Sequence, residues 1–271
     1  MTRFRRVLLL ASALLCLAVP TATAAKSNPG GGGAKQPTGY DISYPQCGGP
    51  FPGNVLFGIV GVNNGIVYSA NPCLGNGDGP SELAWAEQYE PVAILYANTA
   101  NPGPALSSHW PAGQTAPKFC DPASTDSADC AYDYGWNAAA DSYRDAVEAY
   151  VSLGRLPSGS TQTPQPNEWW LDVETANSWE SNTTNNISEL QGEVDYLKAQ
   201  GVTTLGFYAN SSDWQAITGG TTAFAAYPSW RAGAGSQRAA QSYCGTTGFT
   251  GGPIKYSQYA ARGYDADVRC Y

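Results

Sequence analysis

The chain has 271 residues, of which 22 are acidic and 14 are basic, and its formal net charge at pH 7 is −8. This excess of negative charge argues against nucleic acid as a partner, because phosphates would repel it. The single histidine, His109, and the lack of a C-x-x-C spacing argue against a zinc site, and the lack of a G-x-S-x-G motif argues against a serine hydrolase. Carboxylates are therefore the catalytic groups that the sequence offers, and no metal or cofactor is expected.

The first 25 residues have the features of a signal peptide. Arg3, Arg5 and Arg6 precede an apolar run over residues 7–19, and the small residues 22–24 form a cleavage site. The arginines fit both a general secretory signal and a twin-arginine signal. We expect a secreted, extracellular protein, free or associated with the cell wall. Because no second long apolar run exists, we expect no membrane contact after cleavage. We also expect a monomer.

A flexible leader is predicted for residues 26–38, which are rich in glycine and proline. The folded part is then expected as one domain over residues 39–271, which is long enough to bury a large core.

Six cysteines remain after removal of the signal peptide, and an even number in an exported chain predicts three disulfides. Spacing alone leaves 15 connectivities open. We expect nearest neighbours in the sequence to pair, namely Cys47 with Cys73, Cys120 with Cys130, and Cys244 with Cys270.

Apolar runs and helix signals alternate in the first half of the domain. Residues 39–43 and 55–62 predict strands, a helix follows from Ser81, and residues 92–98 predict another strand. This alternation is typical of parallel strands joined by helices. Residues 101–130 are rich in Pro, Ser, Ala and Asp, and their length predicts a functional loop.

In the second half, helices and strands alternate up to residue 209, and short strands with little helix between them follow. The predicted elements are a helix over residues 136–153, a strand over 169–174, a helix over 186–201, and strands over 203–209, 228–232, 254–259 and 265–271.

The strand over residues 169–174 ends in two carboxylates. Side chains two apart on a strand point to the same side, so Asp172 and Glu174 share a face with Trp170. Two neighbouring carboxylates at the end of a buried strand cannot both ionise cheaply. One therefore holds a raised pKa and can donate a proton, while the other stays anionic. The alternative interpretation is a strand whose acids are paired or solvated at its mouth.

Short motifs lie at the predicted strand ends, in residues 39–46, 57–65, 171–174, 206–208, 228–232, 258–259 and 267–268. Taken in this order, they resemble the strand ends of family-25 glycoside hydrolases, lysozymes of the N-acetylmuramidase type that cut peptidoglycan. The resemblance implies a single-domain α/β fold, a TIM-like flattened barrel of five β/α units and three further strands. In such a barrel the site lies at the carboxyl ends of the strands.

The resemblance also implies roles for four carboxylates. Glu174 would be the general acid that protonates the glycosidic oxygen. Asp172 would orient the 2-acetamido group of the substrate as it attacks the anomeric carbon, with retention of configuration. Asp41 and Asp267 would hold charge around the same subsite, with Asp265 as the alternate to Asp267 if the closing strand is shifted by two residues.

Substrate contacts are expected from six further residues, namely Tyr44, Asn64, Tyr208, Trp214, Trp230 and Gln258. The chain departs from the family pattern at residues 61–65, where Lys-Ala-Thr-Glu-Gly is common, and at Arg269, where an Asn is usual. Two functions stay open. One is an exported glycosidase acting on peptidoglycan, and the other is a non-hydrolytic glycan-binding or wall-associated domain on the same barrel.

Overall fold

The computed structural model describes residues 38–77, 79–261 and 263–271. The predicted signal peptide lies outside the described residues, and so does the predicted leader up to residue 37. Among the described helices, none combines the length and the apolar character needed to cross a membrane.

Eight strands follow one another around a closed barrel in sequence order. The first seven run parallel to their neighbours, whereas the eighth is antiparallel to both the seventh and the first. The strands are β1 (Thr38–Ile42), β2 (Val55–Gly61), β3 (Ile94–Asn98), β4 (Glu168–Asp172), β5 (Thr204–Ala209), β6 (Ser229–Ala234), β7 (Ile254–Ala261) and β8 (Tyr264–Arg269).

Helices lie in the connections between the parallel strands. They are α1 (Glu82–Ala86), α2 (Ala128–Ser152), α3 (Thr183–Ala199), α4 (Ser211–Thr218) and α5 (Gln237–Tyr243), and a 3-10 turn at Tyr44–Gln46 follows β1. The predicted single-domain α/β barrel is therefore confirmed.

Helix capping corrects two predicted helix starts. Helix α2 begins at Ala128, because the Ser127 side chain accepts a hydrogen bond from the Cys130 backbone N–H. Helix α3 begins at Thr183, because Asn182 caps it by accepting from the Thr184 N–H. Asn186, predicted as the start of this helix, is buried, and its side-chain amide donates to the backbone oxygens of Glu180 and Ile217 instead.

Helices α4 and α5 lie where the sequence predicted little or no helix. Each is capped by a polar side chain, Asn210 for α4 and Ser236 for α5. They have eight and seven residues, so neither contains enough turns for an apolar stripe to be recognised.

Alternate side chains of each strand fill the barrel interior. A cluster below the mouth is formed by Phe57, Ile59, Ile94, Trp170, Trp230 and Tyr256. Gly39 on β1 also faces inward, where a Cβ atom would collide with the Phe57 ring, so this position requires glycine. Trp169 and Leu171, the neighbours of Trp170, point outward into the core beneath the helices. The interior is therefore packed, and open space remains at the ends of the barrel.

The predicted nearest-neighbour disulfides are confirmed, with Cα–Cα distances of 5.4 Å for Cys47–Cys73, 4.5 Å for Cys120–Cys130 and 5.2 Å for Cys244–Cys270. The first joins the segments that follow β1 and β2. The second ties the loop after β3 to α2, and the third ties the end of α5 to the end of the chain.

Candidate active site

A cavity of about 130 Å³ lies at the carboxyl ends of the parallel strands. This is the end of the barrel where such folds place their active sites. Four acids, three aromatic side chains and one amide line it, namely Asp41, Tyr96, Asp172, Glu174, Tyr208, Trp230, Gln258 and Asp265.

Asp172 and Glu174 reach the cavity from β4 and the residues that follow it. Asp172 is the last residue of β4, and its register partner on β3 is Asn98. The Asn98 side-chain amide donates a hydrogen bond of 2.7 Å to Asp172 Oδ2. Glu174 follows two residues later, and its backbone oxygen accepts a bond of 2.9 Å from the indole N–H of Trp179. The carboxylate of Asp172 and the backbone of Glu174 are therefore held by neighbouring parts of the mouth.

The two carboxyls have raised pKa values. Burial raises the pKa of Asp172 well above its usual range, and the charges of Glu174 and Asp41 raise it further. Burial also raises the pKa of Glu174, followed by the charges of Asp213 and Asp265. The raised pKa values favour the protonated forms of both carboxyls relative to isolated acids, which is the direction that acid chemistry requires.

Asp41 faces this pair from β1 and belongs to a hydrogen-bonded chain. The Gln258 amide donates to Asp41 Oδ2 over 3.1 Å, and the Tyr208 hydroxyl donates to Gln258 Oε1 over 2.8 Å. Burial and the charge of Asp265 raise the pKa of Asp41 to about 7. Gln258 thus fixes the positions of a titrating carboxyl and a phenol at the same time.

Asp267 does not line the cavity, which corrects its predicted place. Strand β8 is antiparallel to β1, so its first residues lie at the mouth, where Asp265 pairs with Asp41 and Asp267 lies one layer deeper beside Gly39. Asp267 is buried and accepts a 2.7 Å bond from the Trp230 indole N–H. Burial and the charge of Asp41 raise its pKa well above the usual range. Asp265, the alternate in the sequence prediction, is the acid at the mouth.

Trp214 also lies away from the cavity, so its predicted substrate contact is wrong. It is on α4, is 1% exposed, and packs against Phe207, Phe224 and Phe249. Tyr208, near the end of β5, lies at the mouth. The chain then continues into α4, and the apolar side of this helix, which carries Trp214, faces the core.

Tyr44 and Asn64 are not among the residues that line the cavity. The Tyr44 ring lies against Gly65 and is 42% exposed. Asn64 is exposed in the turn after β2, where its backbone N–H donates to the Ser69 oxygen. Both residues follow strands that end at the mouth, but they lie beyond the residues that line the cavity.

Two contributors from β3 were missed by the sequence analysis. Tyr96 lines the cavity and Asn98 bonds Asp172. The signal was present, because Ile94, Tyr96 and Asn98 are spaced two apart and Ile94 belongs to the interior cluster. Only the barrel register decides that this face meets Asp172.

The two departures from the family pattern have structural roles. Arg269 lies at the opposite, amino-terminal end of the barrel, where it pairs with Glu90 and its guanidinium stands 4.2 Å above the Phe57 ring. At the end of β2, the buried Asn63 accepts from the Asn98 backbone N–H over 2.8 Å and donates to Ser142. Neither side chain lines the cavity.

Comparison with known proteins supports this architecture. A family model described as "Lysozyme-like protein 1" matches residues 155–243, which contain β4, Glu174 and the elements up to α5. The modular autolysin LytC from Streptococcus pneumoniae is 12% identical with a TM-score of 0.51, and the alignment covers 86% of this chain and 46% of that one. The barrel is lysozyme-like. The resemblance seen in the strand-end motifs is thereby confirmed for the fold.

Two further structures are similar to this chain. The complex of the same autolysin with a synthetic peptidoglycan ligand is 12% identical with a TM-score of 0.50, and covers 86% of this chain and 46% of that one. A bacterial lysozyme from Streptomyces coelicolor is 16% identical with a TM-score of 0.49, covering 88% of this chain and 93% of that one. A comparison with curated proteins found no match. At 12% identity the likeness to LytC concerns the fold alone.

Proposed function

We propose that this chain is an exported glycoside hydrolase that cleaves peptidoglycan between its amino sugars, with Glu174 as the general acid. The observation that carries this proposal is the cluster of Asp41, Asp172, Glu174 and Asp265 around one cavity at the carboxyl ends of the strands. The ligand in the LytC complex is a synthetic peptidoglycan, which supports this substrate class. Three disulfides are typical of exported proteins.

In the proposed reaction, Glu174 gives its proton to the glycosidic oxygen as the bond to the anomeric carbon breaks. The acetamido oxygen of the same sugar attacks that carbon, while Asp172 accepts a hydrogen bond from the acetamido N–H and stabilises the positive charge that develops. Water then opens the cyclic intermediate and gives its proton to the Glu174 carboxylate. Asn98 is a positioning residue, because its bond to Asp172 Oδ2 fixes the direction of that carboxylate.

Asp41 and Asp265 would tune the charge of this site. The charge of Asp265 is among the causes that raise the pKa of Glu174 and also raises that of Asp41, which favours the proton that the acid must hold. The Tyr208 hydroxyl and the Gln258 amide offer hydrogen bonds to a sugar hydroxyl at the edge of the same cavity.

The second candidate function is glycan binding without hydrolysis. The observation that favours it is the end of β2, where Gly61 and Asn64 stand in place of the charged Lys and Glu of the family pattern and neither lines the cavity.

The deciding experiment compares wild type with Glu174→Gln, which preserves shape and removes the acid. We expect release of reducing ends from purified peptidoglycan to fall by about 10² to 10⁴, with saccharide binding largely retained. Glu148→Gln, on the exposed side of α2, is the matched control and should behave as wild type. Equal release by wild type and Glu174→Gln would reject Glu174 as the acid. Binding without release by wild type would favour the second candidate.

A further inference from the structure

A groove of about 400 Å³ lies beside the candidate active site, on the same end of the barrel. Its walls come from the loops that follow β2, β3 and β4. Ile66 and Leu106 line it and are 61% and 77% exposed, so two large apolar side chains face solvent across it. Apolar groups exposed in this way are typical of a binding surface.

The groove adjoins the chain segment that carries the proposed catalytic acid. Its third wall is formed by residues 176–178, and Glu174 lies two residues earlier. Two residues of chain span at most about 7 Å, so the backbone of this wall begins within about 7 Å of the Glu174 backbone. The Asn177 backbone N–H donates to the Glu174 oxygen over 3.1 Å, and the Asn101 N–H donates to the Ser178 oxygen over 2.9 Å. These bonds hold the wall and the acid in one arrangement.

An aromatic pair stiffens the opposite wall. The rings of Tyr68 and His109 are stacked, with centroids 4.0 Å apart and planes within 5°. Tyr68 has a φ of 58°, a left-handed conformation that costs a non-glycine residue free energy and is concentrated at functional sites. Its hydroxyl donates to the Tyr134 backbone oxygen over 3.3 Å. The pair joins the loops after β2 and β3 into one surface.

The charge of the groove differs from that of the rest of the chain. The protein has a net charge of −8, and the cavity next to the groove is lined by four acids. None of the described residues that line the groove carries a carboxylate. An acidic ligand can therefore lie in it without the close repulsion that it would meet in the cavity.

We propose that this groove binds the peptide stem of peptidoglycan while the glycan strand lies over the carboxylates, an inference that rests on the proposed function. The stem leaves the muramic sugar through a lactyl ether, on the ring whose glycosidic bond is cut. It is acidic, and its alanine residues present methyl groups to Ile66, Val67 and Leu106.

The test compares two forms of one polymer. Peptidoglycan with intact stems and the same glycan strands stripped of stems by an N-acetylmuramoyl-L-alanine amidase are given to wild type and to the double variant Ile66→Asp/Leu106→Asp. We expect the double variant to lose about tenfold in kcat/KM on the stem-bearing polymer and to stay within about twofold of wild type on the bare strands. Phe119→Ser is the matched control, because Phe119 is 58% exposed on the same loop and lies outside the groove.

A binding measurement keeps this test separate from the question of hydrolysis. We expect calorimetry with muramyl dipeptide to show binding by wild type and by Phe119→Ser, and weakened binding by the double variant. Equal losses on both polymers would assign the groove to the sugar chain and overturn the proposal. If wild type cleaves neither polymer, the proposed function fails, and the groove assignment is then decided by the binding of muramyl dipeptide alone. Equal affinity in wild type and the double variant, or no affinity in wild type, would then overturn the groove assignment.

Discussion

Asp41 on β1 and Asp265 on β8 lie directly opposite each other across the antiparallel seam that closes the barrel. Both carboxyls face the cavity, and the charge of Asp265 is the second cause, after burial, of the raised pKa of Asp41. The closing strand thus sets the titration of an acid on the first strand, although 224 positions separate the two residues in the sequence.

Replacement of Asp265 by Asn should lower the pKa of Asp41 from about 7 toward its usual range, because it removes the facing negative charge. Carboxyl-carbon NMR titration of wild type and variant measures this directly. Asp129→Asn, at an exposed position on α2, is the control and should leave the Asp41 titration in place. An Asp41 pKa that is unchanged in Asp265→Asn would mean that burial alone raises it.

Asp267 should behave as a neutral, buried hydrogen-bonding group. Asp267→Ala leaves the Trp230 indole N–H without its acceptor, so the free energy of unfolding should fall by about 1 to 3 kcal/mol. Asp267→Asn keeps an acceptor for Trp230 and resembles the protonated acid, so it should cost much less. Urea unfolding of both variants near neutral pH measures the difference. Equal losses in the two variants would show that the group is ionised in the folded protein.

The folded protein should be more stable in mild acid than at neutral pH. Burial raises the pKa values of Asp41, Glu82 and Asp145 to about 7 and that of Glu193 to about 8. In the unfolded chain these groups ionise near pH 4. Their contribution to stability is therefore fully present below about pH 4 and is lost as the pH rises through the folded values, because the folded state binds more protons in that interval.

Urea unfolding at pH 5 and pH 7.5 checks this expectation. The free energy of unfolding should decrease by at least about 2 kcal/mol between the two conditions. Glu193→Gln replaces a buried, protonated acid on α3 by a neutral group and should reduce the decrease, whereas Glu148→Gln, an exposed position on α2, should leave it unchanged. A stability that rises between pH 5 and pH 7.5 would contradict the assignment of these buried carboxyls.

Both Trp214 and Tyr208 were predicted to contact substrate. We now expect a Trp214 variant to lose mainly stability and a Tyr208 variant to lose mainly turnover. Trp214→Ala removes a 1% exposed indole from a cluster of phenylalanines and should cost about 3 to 5 kcal/mol of stability. Tyr208→Phe removes only the hydroxyl that donates to Gln258, so it should reduce glycan turnover more than it reduces stability. Thermal melting and turnover, measured on the same preparations, distinguish the two. A stable Trp214→Ala variant with impaired turnover would mean that Trp214 contributes to the site after all.

Local sequence patterns predicted most of the elements of this barrel. The apolar runs of β2 and β3, the stripe of α2 and the carboxylates that end β4 depend on neighbours in the chain, which is why they were recognisable. The short helices α4 and α5 were not predicted as such, because eight and seven residues give too little periodicity.

The composition of the site followed from the sequence only in part. The two-residue repeat of a strand was enough to place Asp172 and Glu174 on one face with Trp170. The strand-end motifs were enough to expect four further residues near them, namely Asp41, Tyr208, Trp230 and Gln258. The tertiary structure decided that Asp265 reaches the mouth while Asp267 is buried, that Asn98 meets Asp172, and that Trp214 belongs to the core. These outcomes depend on strand direction and on register between strands distant in sequence, and a shift of two residues moves a side chain by a whole layer of the barrel without changing the face it occupies.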